Sequence, residues 1–239
     1  MSSESTRPMP RLFLIRHGET EWSLNGSETC QYFYLGIDFI SMGPQTGRTD
    51  IPLTARGEEQ VKEKAQSLVG DGKLIDPTNL CTVFVSPRQR AHRTFHLLFE
   101  NVETPHHLLT ESAREWDYGD YEGLLSREIQ ERQPGWDIWK DGCPGGESVM
   151  EMQNRVDECI AKVREYHRQY KEEGLHTRDV MIVAHGHFSR VFIARWINFP
   201  LHLGTHFNVE AGGIAVLSYN HNSLGEPALN ALNLYANIR

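Results

Sequence analysis

Three short tracts carry most of the reactive side chains: Arg16-His17-Gly18, Ser86-Pro87-Arg88-Gln89-Arg90 with Arg93 beyond it, and His185-Gly186-His187. An imidazole that is neutral near pH 7 offers a nucleophilic nitrogen, and a following glycine lets the backbone turn sharply and leaves an N–H open to an oxyanion. Arg88, Arg90 and Arg93 fall in the first turns of a helix starting near Pro87, where cations oppose the macrodipole at about 0.3–1 kcal/mol each. A phosphate held by the helix amides and guanidinium forks offsets that cost. The plain alternative is a solvated basic face, weightier for Arg88 and Arg93 than for Arg90. His185 and His187 could be read as a metal pair, but no HExxH-type carboxylate partner accompanies them. The recurrence of His-Gly after two apolar segments favours paired imidazoles instead, with His187 as a core histidine making one hydrogen bond. Release of an alkoxide also needs a proton donor. Residues 113–123 offer Glu115, Asp117, Asp120 and Glu122 among aromatics that would raise a carboxyl pKa, and spacing does not choose among them.

Each reactive tract closes an apolar run, and these runs read as buried strands: Arg11–Ile15, Thr82–Val85 and Val180–Ala184. Helical spacing fills the gaps. Thr54 caps a segment over Ala55–Val69 with Val61, Ala65, Leu68 and Val69 on one face. Ser148 and Glu151 form a capping box for a helix running to Gly174, and Phe188–Ile197 reads as a helix straight after the third strand. GGIAVLSY and the segment around Leu232–Ala236 supply last strands, placed at an edge. Strands alternating with amphipathic helices predict a three-layer α/β/α sandwich with a mostly parallel central sheet, which binds ligands beyond the carboxyl ends of its strands.

The 239 residues fit one core, taken as residues 11–239 after a disordered tail over residues 1–10. A net charge of −8, from 24 Lys+Arg against 32 Asp+Glu, argues against nucleic acid or an anionic membrane surface as partner, so an anionic substrate must be caught by local cations. No apolar run long enough for a membrane span and no apolar leader is present, and Cys30, Cys81, Cys143 and Cys159 form no CxxC pair. The expectation is a cytoplasmic protein with free thiols, a nuclear pool and a homo-oligomer both being compatible with it.

In this order LIRHGETEW, TGRTDIPLTARGEEQ, SPRQRAHRT, REWDYGDYEG, GGES and VAHGH resemble the motifs of the histidine phosphatase, or phosphoglycerate mutase-like, superfamily, over about Leu12–Ile197. The resemblance implies that fold, no metal and no cofactor. It also implies a phosphorylated histidine at His17, phosphate-binding groups at Arg16, Arg90 and His185, and an acid/base carboxylate at Glu115. Thr46 and Gly47 match the substrate loop, and Tyr118, in the segment after the acid, is taken as a further substrate-binding residue. The tract REWDYGDYEG, with WDIWKDGCPGGES and AGGIAVLSYNHNSLGEPAL, is similar to fungal sugar bisphosphatases of that family. It points to a sugar phosphate, sedoheptulose 1,7-bisphosphate first, as substrate, with Arg190 and Arg48 as candidate contacts for a second anionic group. A phosphoglycerate mutase is the runner-up. Two departures stand out. Ser23 replaces the Asn of many members, offering a hydroxyl to the phosphate site. Residues 27–45, rich in aromatic and aliphatic side chains, stand where relatives have a very short link. They are either a lid over the site or a segment foreign to the native protein, and if they block the site the chain would be a non-catalytic phospholigand-binding protein.

Overall fold

The computed structural model describes residues 7–24 and 44–234. In chain order these form β1 (Leu12–Arg16), α1 (Glu21–Leu24), α2 (Ala55–Leu68), β2 (Leu80–Val85), α3 (Gln89–Leu98) and β3 (His107–Leu109). There follow α4 (Ser126–Arg132), α5 (Ile138–Asp141), α6 (Val149–Arg168), β4 (Asp179–Ala184), α7 (Gly186–Trp196), β5 (Ile214–Tyr219) and β6 (Pro227–Leu234). One six-stranded sheet has the order β3-β2-β4-β1-β5-β6. β3, β2, β4 and β1 run parallel, β5 runs opposite to them, and β6, antiparallel to β5, returns to their direction, so the sheet is mixed but mostly parallel, as expected.

Alternate residues of each inner strand feed two separate cores, the consequence of a period-two strand covered on both faces. Leu12, Leu14, Val180, Ile182, Ala215 and Leu217 pack with α6 and α7. Phe13, Ile15, Met181, Val183, Ile214 and Val216 pack with α2 and α3. Full burial of such a side chain contributes about 1.5–3 kcal/mol, which is why four-residue apolar runs suffice to specify these strands.

The caps behave as their residue types require. The Thr54 side chain accepts from Gly57 N–H, and Ser148 with Glu151 closes a reciprocal capping box. The long helix departs from α-geometry before its expected end: residues Gln169–Glu173 form a π turn, and Gly174 stops it with φ 86°. β3, unread in the sequence, is three residues long at an exposed edge, too short to display a period. The tail expected over residues 1–10 is docked from Arg7 onward. Arg7 Nη1 donates to the carbonyls of Tyr170 and Leu175 at 2.8 Å each, and Ser218 Oγ donates to Pro10 O at 2.8 Å. The reading of residues 27–45 lies outside the described residues except at Pro44 and Gln45, where Gln45 N donates to Leu124 O at 3.0 Å. Among the described residues no helix is long and apolar enough to cross a membrane.

Candidate active site

Strand register brings the reactive tracts together. β1 and β4 are parallel neighbours with Arg16 opposite Ala184, so His17 and His185 leave the same sheet edge side by side. β2 flanks β4 on the other side with Val85 opposite Val183, which delivers Ser86 to the same edge. The two imidazole centroids are 5.2 Å apart at an interplanar angle of 62°.

His17 is 6% exposed, and its Nδ1 lies 2.7 Å from Gly18 O. A carbonyl only accepts, so Nδ1 carries the proton and Nε2 keeps its lone pair. Burial, then the Arg90 and Arg16 guanidinium charges, hold the His17 pKa well below its usual value, so the ring is neutral near pH 7. Gly18 has no room for a side chain, since a Cβ would stand 2.9 Å from Val61 Cγ2, and its N–H is held by Thr94 Oγ1 at 3.0 Å.

His185 is fully buried, with Nε2 2.7 Å from Ser86 Oγ and Nδ1 without a partner. If the Ser86 hydroxyl donates to Nε2, Nδ1 carries a proton with nothing in the protein to receive it, the state expected of a donor waiting for an anion. Desolvation first, then the charges of Arg90 and other neighbours, keep its pKa low.

Arg90, 1% exposed, donates Nη1 to Thr49 O and Nη2 to Thr46 O, both at 2.9 Å. Three of its five N–H groups remain for another acceptor. Arg16 donates Nη1 to Val209 O at 2.6 Å, and its buried Nε has no partner. Two cations with unused N–H groups, the unpartnered Nδ1 of His185 and the free Nε2 lone pair of His17 make a setting suited to an anion held against a nucleophile.

Glu115, 6% exposed, reaches the N-terminus of α7. Its Oε1 accepts from Trp116 N and Phe188 N at 2.9 and 2.8 Å, and Oε2 accepts from His187 N at 3.0 Å. The aromatic enclosure expected for this carboxylate is replaced by three amide donors, that of its neighbour Trp116 and two at the N-terminus of α7, the latter a tertiary contact up to 73 positions away along the chain. Gly186 permits the approach, because a Cβ there would lie 3.5 Å from Arg16 Cζ and 3.6 Å from Glu115 Oε2.

The remaining candidates fall into place unevenly. Thr46 and Gly47 form a loop between opposed clamps: Glu122 accepts from Gly47 N and Thr49 N, while Arg88 and Arg90 donate to the loop carbonyls. Only glycine fits at 47, where a Cβ would stand 2.4 Å from Trp116 O. Tyr118 directs its hydroxyl to His187 Nδ1 at 2.7 Å, so both form an inner wall behind that loop, and His187 is the hydrogen-bonded core histidine expected. Since His185 and His187 bond Ser86 and Tyr118 respectively, the pair does not form a chelate. Ser23 donates its single hydroxyl proton to Thr20 O at 2.8 Å, which leaves none for a phosphate in this arrangement, contrary to expectation. Arg190 packs its guanidinium over Trp139 and donates to Gly204 O and Thr205 O, a structural engagement that the sequence did not foretell. Arg48 is exposed and ion-paired with Asp117, and Arg93 is ion-paired with Glu58 on the outer face of α3.

Several contributors went unread. Glu147 of GGES, 4% exposed, is bound by Arg155 and Arg114, and Arg155 also donates to the carbonyls of Ser112, Arg114 and Glu115, bracing the carboxylate segment. Lys64, on α2, is 8% exposed and donates to Gly212 O at 3.2 Å. Gly212 N in turn holds His17 O at 2.9 Å. The one available signal for Glu147 was its place in a quoted motif; for Lys64 there was none.

A sequence profile described as "Histidine phosphatase superfamily (branch 1)" matches residues 12–233. The chain is 33% identical over 265 aligned positions to a sedoheptulose 1,7-bisphosphatase of Saccharomyces cerevisiae, covering 92% of this chain and 91% of that protein. It is 37% identical to an acid phosphatase of Mycobacterium tuberculosis, covering 88% and 87%. A solved structure of an open reading frame of Mycobacterium tuberculosis superposes with a TM-score of 0.71 at 34% identity, over 94% of this chain and 97% of that one.

Proposed function

Because this chain belongs to the histidine phosphatase superfamily and is a phosphatase hydrolase, we propose that it dephosphorylates a sugar phosphate, sedoheptulose 1,7-bisphosphate first, through a phosphohistidine at His17. The observation that carries the reaction is the hydrogen bond from His17 Nδ1 to Gly18 O, which leaves Nε2 as a free nucleophile in an arginine-lined recess. The substrate rests on the likeness to the yeast enzyme.

In the first step His17 Nε2 bonds to phosphorus while the P–O bond to the sugar breaks, and protonated Glu115 gives its proton to the departing oxygen. Oε2 is the atom assigned to that transfer, since it accepts one backbone bond where Oε1 accepts two. Water then attacks phosphorus, the N–P bond breaks, and the Glu115 carboxylate takes the water proton. Arg16, Arg90 and His185 Nδ1–H stabilise charge on the equatorial oxygens, with no metal ion in the scheme. Gly47 and Thr46 frame the sugar side of the recess. We further place the protein in the cytosol, in carbohydrate metabolism, where the free thiols of Cys81, Cys143 and Cys159 suit a reducing compartment.

The test is a panel of sedoheptulose bisphosphate, fructose bisphosphate, sugar monophosphates and phosphoglycerates, with phosphate release as the readout. The highest kcat/KM is expected for the seven-carbon bisphosphate. Equal rates throughout defeat the substrate assignment, and return of phosphate to the carbon skeleton in place of release marks a mutase.

A further inference from the structure

The inner face of α3 serves the active site through Arg90 and Thr94, but its outer face carries a feature with no part in that chemistry. His92 and His96 are one helical turn apart, so their side chains rise from the same face. Their rings converge edge to face, with centroids 4.5 Å apart and an Nε2···Nε2 separation of 3.0 Å. His92 is half-buried and His96 exposed, so both nitrogens are within reach of solvent. A hollow beside them, lined by Pro52, Leu53, Glu58, Gln89 and Arg93, leaves room for further ligands on an ion held there.

We propose that His92 and His96 form a bidentate site for a divalent transition-metal ion, with Cu2+ and Ni2+ preferred. Two imidazole nitrogens at about 2.0–2.1 Å from one ion lie about 2.8–3.0 Å apart when they occupy cis positions at a right angle, and about 3.3–3.4 Å apart in a tetrahedron. The observed 3.0 Å is the span of an imidazole–imidazole hydrogen bond and lies near the cis separation, so a modest turn of the two rings brings both lone pairs onto one ion, and Cu2+ and Ni2+ are preferred because imidazole binds them strongly in the divalent series. In the metal-free protein one Nε2–H donates to the other Nε2. On binding, the donor ring moves its proton from Nε2 to Nδ1, and both rings turn so that their Nε2 lone pairs face the ion. No group of three or more His, Cys, Asp or Glu side chains with metal-binding geometry occurs among the described residues, so water completes the coordination. The ion clips one turn of α3 and stabilises the native chain by mass action.

The experiment titrates the purified full chain with Cu2+ and with Ni2+ alone, following calorimetric binding, the thermal midpoint and, for Cu2+, nitrogen hyperfine coupling by electron paramagnetic resonance. His92→Ala, His96→Ala and, as a control nearby, His107→Ala are run in parallel. One equivalent per chain, coupling to two nitrogens, and a rise in midpoint on Ni2+ addition are expected. His92→Ala and His96→Ala should each weaken affinity about tenfold or more while His107→Ala does not. Phosphate release serves as the fold check for the first two variants, since neither side chain faces the imidazole pair. Absence of uptake by the wild type, uptake unchanged in both His92→Ala and His96→Ala, or loss on His107→Ala in their place overturns the proposal.

Discussion

Lowering the pH from about 7.5 to about 5.5 should destabilise this protein severely, because four histidines are buried in the neutral form. His17, His185 and His187 have pKa values well below normal, chiefly through desolvation, and His167 is pushed down to about 4 by the same cause. In the unfolded chain each would titrate near about 6.5, passing from about one-tenth to about nine-tenths protonated over this interval. The native state takes up no matching protons, so the unfolded state binds more of them and stability falls as pH falls below the unfolded value. Each histidine contributes a loss of slightly more than about 1 kcal/mol, and the four together about 5 kcal/mol, a large fraction of the ordinary stability of a domain. Urea unfolding at the two pH values measures this directly. His167→Gln supplies the internal control: it lies away from the active site, against Tyr219 and Trp196, and should remove about a quarter of the pH dependence. A total change below about 2 kcal/mol, or an unaltered change in His167→Gln, refutes the reasoning.

Three substitutions probe the site. Arg90→Met removes a guanidinium worth about 4 kcal/mol to a phosphoryl charge at about 4 Å, so kcat/KM should fall about a thousandfold. Since Arg90 is the largest influence after burial in keeping His17 neutral, its loss also moves the acid limb of the kcat/KM profile to higher pH. Ser86→Ala leaves His185 Nε2 buried without a partner and frees the ring tautomer; kcat should drop about tenfold, as steady-state phosphate release will show. Arg155→Met leaves Arg114 as the remaining guanidinium on the buried Glu147 carboxylate and should cost less than the about 3–5 kcal/mol of a fully stranded charge in urea unfolding, yet more than any substitution in the solvated Arg93–Glu58 pair.

The parts of this fold that a linear reading recovers are those whose cause is local. Four-residue apolar runs, the Thr54 cap and the Ser148–Glu151 box each declare an element within a handful of positions, and parallel pairing of two such runs suffices to set His17 beside His185. The solvated reading weighed less on Arg90 than on Arg93, and the structure places one inward and the other against Glu58. What escaped depends on contacts between distant segments. The amides of α7 that hold Glu115, the Glu147–Arg155 brace and the Lys64 tie to Gly212 leave no periodic trace, because each polar group sits where tertiary packing supplies its partner. The two carbonyls that hold Arg190, of residues 204 and 205, went unread for the same reason: they reach it through tertiary packing and leave no mark in the local sequence.

The central claim is that His17 attacks through Nε2 with its other nitrogen tied to Gly18 O. The most direct measurement is rapid quenching of turnover on a phosphorus-32-labelled sugar phosphate under alkaline conditions, followed by peptide mapping of the trapped protein and identification of the phosphohistidine isomer. The account predicts acid-labile label on Nε2 of residue 17, absent from His17→Ala. Label on Nδ1, label on another residue, or label persisting in His17→Ala contradicts it.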